Sequence, residues 1–147
     1  MATTTATLTL SSADLTGDAL ALSSTTTLTK GGTTTGLDQT TGVARKTTGS
    51  TTPFVLFEAG NYTAANPGHK VYIKNTMSTG TEYFTVSFGD GPTTDVLELG
   101  RLYAGDWMFI PWSATGGATA ANHNDIVITP SASSDMTIES ALIYHED

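Results

Sequence analysis

Three histidines, His69, His123 and His145, are the side chains best able to move a proton near neutral pH or to ligate a transition metal. None has ligand spacing. His69 opens an alternating strand pattern, His123 lies in the polar stretch AANHND, and His145 follows the last apolar run. Together His123, Asn124 and Asp125 would need a further, distant ligand to hold a cation, and a polar loop accounts for the same residues. A His, Asp and Ser triad lacks the G-x-S-x-G turn that presents a nucleophile. For glycoside hydrolysis the carboxylate pairs on offer are Glu58 with Glu82, or Glu98 with Asp106. No set of aromatic platforms brackets either pair, and Asp106 reads better as the turn residue of Ala104-Gly105-Asp106. Gly89-Asp90-Gly91-Pro92 has the glycines of a turn but neither the lysine nor the helix of a phosphate loop. Absence of cysteine removes thiol nucleophiles, disulfides and Cys-ligated zinc. The expectation is a protein that is not an enzyme and carries no cofactor or metal.

The remaining polar chemistry is interfacial. Arg45-Lys46 is the one adjacent basic pair in a chain of net charge −8, and it suits either a solvated loop or a docking contact to an acidic surface. Six Lys plus Arg against fourteen Asp plus Glu leave no electrostatic footprint for nucleic acid. Charged residues make up 14% of the 147 positions, against roughly 25% in ordinary domains, and threonine, at 30 positions, takes their place. Neutral hydroxyls thus carry solubility. No apolar run approaches the roughly 18 residues of a membrane span, and Met1 to Thr9 lacks the basic start and apolar centre of a secretory signal.

The elements that must position these residues are strands. Thr fits a pleated surface, and Asn66-Pro67-Gly68, Asp90-Gly91-Pro92 and Gly116-Gly117 interrupt every helical window. Composition changes near Pro53: residues 1–52 contain no aromatic side chain, and 53–147 contain all twelve. Two units are expected, an N-terminal part of strands and extended arm (1–52) and a β-domain (53–147). In the first, Leu8 and Leu10 alternate with Thr7 and Thr9, and Leu20 and Leu22 alternate with Ala19, Ala21 and Ser23, which predicts two one-sided strands. Lys30 to Thr52 has no period and reads as an extended arm or long loop. In the second, the apolar runs within 54–58, 69–75, 82–88, 96–99, 107–112, 125–129 and 136–144 are short and separated by turn residues. The predicted fold is all-β, an antiparallel, jelly-roll-like β-sandwich of seven or eight strands in two sheets, with an extended Thr/Gly-rich N-terminal arm. The leucine-bearing strands are expected to add to a sheet edge.

Two strands are apolar on both faces, Phe54-Val55-Leu56-Phe57 and Trp107-Met108-Phe109-Ile110-Pro111-Trp112. A small two-layer protein cannot easily bury both faces, so one needs a second cover, supplied by the N-terminal segment or by a neighbouring subunit. Phe54, Phe57, Trp107, Phe109 and Trp112 are the candidate interface residues, and Leu37, Arg45 and Lys46 the candidate docking residues of the arm. Pro111 marks its strand as an edge. Tyr62, Tyr103, Trp107 and Trp112 are alternatively stacking platforms for a carbohydrate.

The opening ATLTLSSADLTGDALALSSTTTLTK, the arm GLDQTTGVARKTT and the strand-turn-strand GRLYAGDWMFIPWSA resemble small structural proteins of tailed bacteriophage virions, of the marine-phage type. The resemblance spans most of the chain and carries no catalytic motif. It implies a non-enzymatic virion protein, a capsid decoration (cement) protein that binds the major capsid protein or other virion proteins, with a tail or fibre attachment or carbohydrate-recognition module as the alternative. It also implies a homo-oligomer, a trimer by analogy, on the surface of the capsid, without nucleic acid or membrane as partner.

Overall fold

The computed structural model describes residues 3–14, 17, 19–62, 68–114 and 124–145. His123 lies outside them. Eleven strands and no α-helix occur among the described residues: β1 (Thr4–Ser12), β2 (Leu20–Leu28), β3 (Gln39–Thr40), β4 (Ala44–Thr48), β5 (Phe54–Phe57), β6 (His69–Asn75), β7 (Phe84–Asp90), β8 (Thr94–Leu102), β9 (Trp107–Trp112), β10 (Asp125–Pro130) and β11 (Met136–Tyr144). A 3-10 turn, Ala59–Asn61, follows β5. The strands form three antiparallel sheets: β1-β2; β5-β10-β7-β8; and β3-β11-β6-β9, with β4 also on β11.

Period-two alternation builds the two larger sheets. In β6, His69, Val71, Ile73 and Asn75 are buried while Lys70, Tyr72 and Lys74 between them are half-buried. Met136, Ile138 and Leu142 of β11, Phe84 and Val86 of β7, and Ile126 and Ile128 of β10 join Val71 and Ile73 in one hydrophobic cluster drawn from both sheets. Asn75 links the sheets by hydrogen bonds. Its Nδ2 donates to the carbonyl of Leu102 on β8 at 3.0 Å, and its Oδ1 accepts from the Met77 N–H at 3.0 Å. The turn into β9 closes beside it, where Gly105 takes φ +82°, a conformation glycine adopts without Cβ strain, and its N–H reaches the Asn75 carbonyl. Asp106 accepts from the Tyr103 N–H at 3.0 Å, the turn role its sequence context predicts. Pro111 sits on β9, which among the described residues pairs with β6 alone and is an edge there, as expected.

Two features of residues 1–52 differ from expectation. The leucine-bearing strands pair with each other, Leu10 opposite Leu22, and extend neither larger sheet. Residues of the expected arm are a sheet edge: Thr40 pairs with Ile143, and Ala44 to Thr48 pair with Ser140 to Met136. Three residues, Thr41 to Val43, oppose two on β11, a bulge at which Gly42 takes φ +69°. The Thr41 N–H donates to the Leu142 carbonyl at 3.0 Å and its hydroxyl accepts from the Leu142 N–H at 3.0 Å, so a side-chain acceptor completes the ladder at the bulge. A polar Thr-rich stretch can be a strand because half of an edge strand's ladder and one of its faces meet water.

Asp125 holds two loops at once. Its carboxylate accepts from the Ala59 N–H at 2.8 Å and from the Gly91 N–H at 3.1 Å. Alanine there leaves two part-buried donors without their acceptor, and a loss of about 1–3 kcal/mol is expected in urea unfolding; an unchanged midpoint would show that water replaces the carboxylate.

Candidate functional site

The hairpin of β1 and β2 has two chemically distinct faces. Antiparallel register and alternation place Leu8, Leu10, Leu20 and Leu22 together on one face, while Thr5, Thr7, Thr9, Ser23, Thr25 and Thr27 share the other. The four leucines remain 38–48% exposed, although such a face normally lies against a core. A hydroxyl pair, Thr7 with Thr25 at 3.0 Å, crosses the opposite face. Neither strand contains a charged residue.

The near end of the hairpin lies over the outer face of β6 and β9. Ala6, Thr7, Leu8, Ser24 and Thr26 form one wall of a groove of about 380 Å³, and Tyr72, Trp107 and Phe109 form the other. Tyr72 and Phe109 are direct partners in the ladder. Leu8 belongs to both groove and leucine stripe, so one apolar surface runs from Trp107 out along the hairpin. At the base, Leu28 and Leu37 are buried at 3% and 1%, joined by a backbone hydrogen bond between them, which anchors the hairpin to the body.

The sequence-derived interface residues separate into three groups. Trp107 is 52% exposed and Phe109 half-buried, both in the groove. Phe57 and Trp112 lie in this chain's own core instead of at its surface. Phe54 packs partly against that core, under the ammonium of Lys46 at 3.6 Å from its ring centre. The docking residues of the arm are likewise engaged within the chain. Leu37 is buried, Lys46 covers Phe54, and the Arg45 Nε donates to Glu139 Oε2 at 2.8 Å across β4 and β11. That hydrogen bond holds the Glu139 carboxyl below its ordinary 4.5, assisted by the Tyr72 hydroxyl, which donates to Oε1 at 3.2 Å. Tyr72 carried no signal in the sequence. The four leucines did, as one-sided strands, but their solvent exposure did not.

The histidines show one ordered arrangement. His69 and His145 are buried with ring centres 6.1 Å apart, in an aromatic cluster with Tyr62, Trp112 and Tyr144. His69 Nε2 lies 2.8 Å from the Tyr62 carbonyl. Burial pulls the His69 pKa below its ordinary 6.5, more than the Tyr62 carbonyl raises it, and the nearby His145 and Lys70 lower it further. The unfolded chain therefore binds the extra proton first. Stability is expected to be full above about pH 6.5 and to fall as the pH drops toward the lowered folded value. Melting temperatures at pH 7.5, 6.0 and 5.0 test this, with His69→Gln expected to flatten the profile; equal slopes in both proteins would assign it elsewhere. Glu139 acts in a separate, more acidic window, its contribution present above 4.5 and lost below.

Glu98 pairs with Arg101 at 3.2 Å, and Glu58 accepts from the Asn61 side chain. Among the described residues no group of three or more His, Asp or Glu side chains could hold a metal ion. Comparison with protein-family models, with curated proteins and with solved structures finds no match.

Proposed function

We propose that this chain is a non-enzymatic structural protein, retained in a larger assembly by burying the apolar face of its N-terminal hairpin. The observation that carries this reading is the set of leucines at 8, 10, 20 and 22, held in register on a hairpin and left in solvent beside Trp107. An isolated two-stranded hairpin is marginal in water, and apolar cover on one face is what stabilises it. The body behind it is read as a two-layer, jelly-roll-like sandwich, since both larger sheets feed one core. The resemblance to phage structural proteins supports a virion as the assembly, with capsid decoration the preferred place and the major capsid protein the preferred partner. Such a role asks for a rigid body, a neutral Thr-rich surface that tolerates crowding, and one adhesive element. Of the arm residues Leu37 is buried within the chain, Arg45 and Lys46 make intrachain contacts on the exposed strand β4, and the proposed grip is the hairpin with Trp107.

Gold-labelled antibody on intact particles from the source lysate tests the location. Dense label over heads is the expected result; label confined to tails or fibre tips would favour attachment, and no accessible label would defeat the surface reading. In parallel, Leu10→Ser with Leu22→Ser should abolish retention on particles while leaving the melting temperature within a few degrees, because exposed sites contribute little to folding.

The carbohydrate alternative rests on Tyr103 and Trp107, the two members of its aromatic set that stay exposed, at the two ends of one turn. Tryptophan emission that stays flat across a broad glycan panel would dismiss it.

A further inference from the structure

We infer that the partner offers the groove an acidic, extended peptide segment, which seats an apolar side chain beside Trp107 and a carboxylate on the ammonium of Lys74. This rests on the assembly reading above and names the chemistry of its partner.

Strand register puts the two contacts side by side. Direct partners in an antiparallel ladder share a face, so Arg45, Glu139, Lys74 and Trp107 form one row across β4, β11, β6 and β9. Tyr72 and Phe109 stand in the next row and line the groove. On this outer face the strands carry Arg45, Lys70 and Lys74 against Glu139 alone, an excess of two positive charges on a chain of net charge −8.

The three cations differ in what they have left to give. Lys70 is half-buried and turns its ammonium to the Gly68 carbonyl at 2.6 Å. Arg45 spends its Nε on Glu139, but its side chain is 68% exposed and keeps further N–H donors. Glu139 accepts from both Arg45 and the Tyr72 hydroxyl, so its charge is answered within the sheet. Lys74, the ladder partner of Trp107, has no ion pair among the described residues. The acid nearest in sequence, Asp106, gives its carboxylate to the Tyr103 N–H in the turn before β9.

An anion is therefore attracted to this face, while the acidic remainder of the surface repels it. The hairpin wall opposite adds no charge. Lys74 and Trp107 lie on adjacent strands, about 4.8 Å apart, so neighbouring or alternate residues of one extended chain reach both. The groove, about 380 Å³, takes the apolar side chain. It is lined by no Asn, Asp, Gln or Glu that would fix sugar hydroxyls, which favours a peptide over an acidic polysaccharide. Single exposed ion pairs are weak and screened by salt, so one copy binds modestly and many copies on one particle hold by number.

Selection from a displayed library of random short peptides, with the whole chain as bait, is the first test. Enriched sequences should place Asp or Glu next to, or one residue from, an aromatic or aliphatic side chain, and Lys74→Glu as bait should lose them. Neutral or basic winners, or the same acidic winners on both baits, overturn the inference. Fluorescence anisotropy with an enriched peptide gives the magnitude. Lys74→Gln and Trp107→Ala should each weaken binding at least about fivefold, as should raising NaCl from about 50 to about 500 mM. Both variants should keep their melting temperatures within a few degrees, because both sites are at the surface. Unchanged affinity in folded variants overturns the inference, and so does a polyuronate that binds through Lys74 when no peptide does. Particle binding separates this inference from the reading it rests on. If Lys74→Glu is retained on particles while Leu10→Ser with Leu22→Ser is released, the acidic partner is overturned and the assembly role stands. If peptides bind through Lys74 but neither variant changes retention on particles, the site is supported and the role is removed.

Discussion

Replacing Trp112 with alanine is expected to cost about 3–5 kcal/mol of folding stability, a large share of the 5–15 kcal/mol a domain of this size holds. Trp112 is 3% exposed, and its ring centre lies 6.2 Å from Phe57, 5.8 Å from Tyr62 and 5.9 Å from His69. Its indole N–H donates to the Asn124 carbonyl at 2.7 Å. Truncation opens a void among these rings and leaves that carbonyl short of its donor. The melting temperature should fall by roughly 10 °C or more. Trp107→Ala is the informative contrast. Half exposed and five residues away on the same strand, it should change stability by less than about 1 kcal/mol and instead weaken particle retention. Calorimetry on both variants, with particle binding alongside, checks the pair; equal stability losses would mean that β9 is packed on both faces within the chain.

The second large effect is expected at Asn75. Fully buried, it donates to Leu102 on the neighbouring sheet and accepts from Met77, so its amide is satisfied on both sides. Asn75→Ala leaves a buried carbonyl and a part-buried N–H without partners and should cost about 2–4 kcal/mol. Asn75→Leu keeps the volume but not the bonds, and should recover little. Urea unfolding of the two variants decides between packing and hydrogen bonding as the source of the loss, and full recovery by leucine would assign it to packing. A local consequence is also expected. Loosening Asn75 frees the turn at Gly105, so hydrogen exchange at Gly105, whose N–H donates to the residue-75 carbonyl, and at residue 75, whose N–H donates to the Asp106 carbonyl, should quicken before the rest of the sheet.

Strand existence and type were legible wherever alternation was strong. Val71 and Ile73 between lysines and a tyrosine, or Phe84 and Val86 between hydroxyls, can bury one face only as strands, and their burial follows that pattern. The edge position of β9 was legible from Pro111, and the turn at Asp106 from its glycine. Residues 39–48 were not legible as strand. Their side chains are Thr, Gly, Gln, Val, Ala and two basic groups with no period, and what orders them is the backbone ladder of β11, about a hundred residues away. Backbone hydrogen bonds carry no side-chain signature, so an edge strand of this kind is invisible until its partner is placed.

By itself, then, the sequence determined an all-β chain, its main strands, and two apolar strands in need of cover, because period and turn residues are local properties. Tertiary structure alone decided which aromatic residues the chain consumes and which it leaves outside. Phe57 and Trp112 face inward and Trp107 outward, although 107 and 112 share one apolar run, since neighbouring positions on a strand point to opposite faces and only the packing of a second sheet says which face is inside. It also decided that Leu8, Leu10, Leu20 and Leu22 pair into a separate hairpin. Their alternation is compatible with a sheet edge or with a separate hairpin, and only the strand pairing distinguishes the two: residues 39–48 take the edge of β11, while β1 and β2 pair with each other and, among the described residues, leave the edge of β9 unextended.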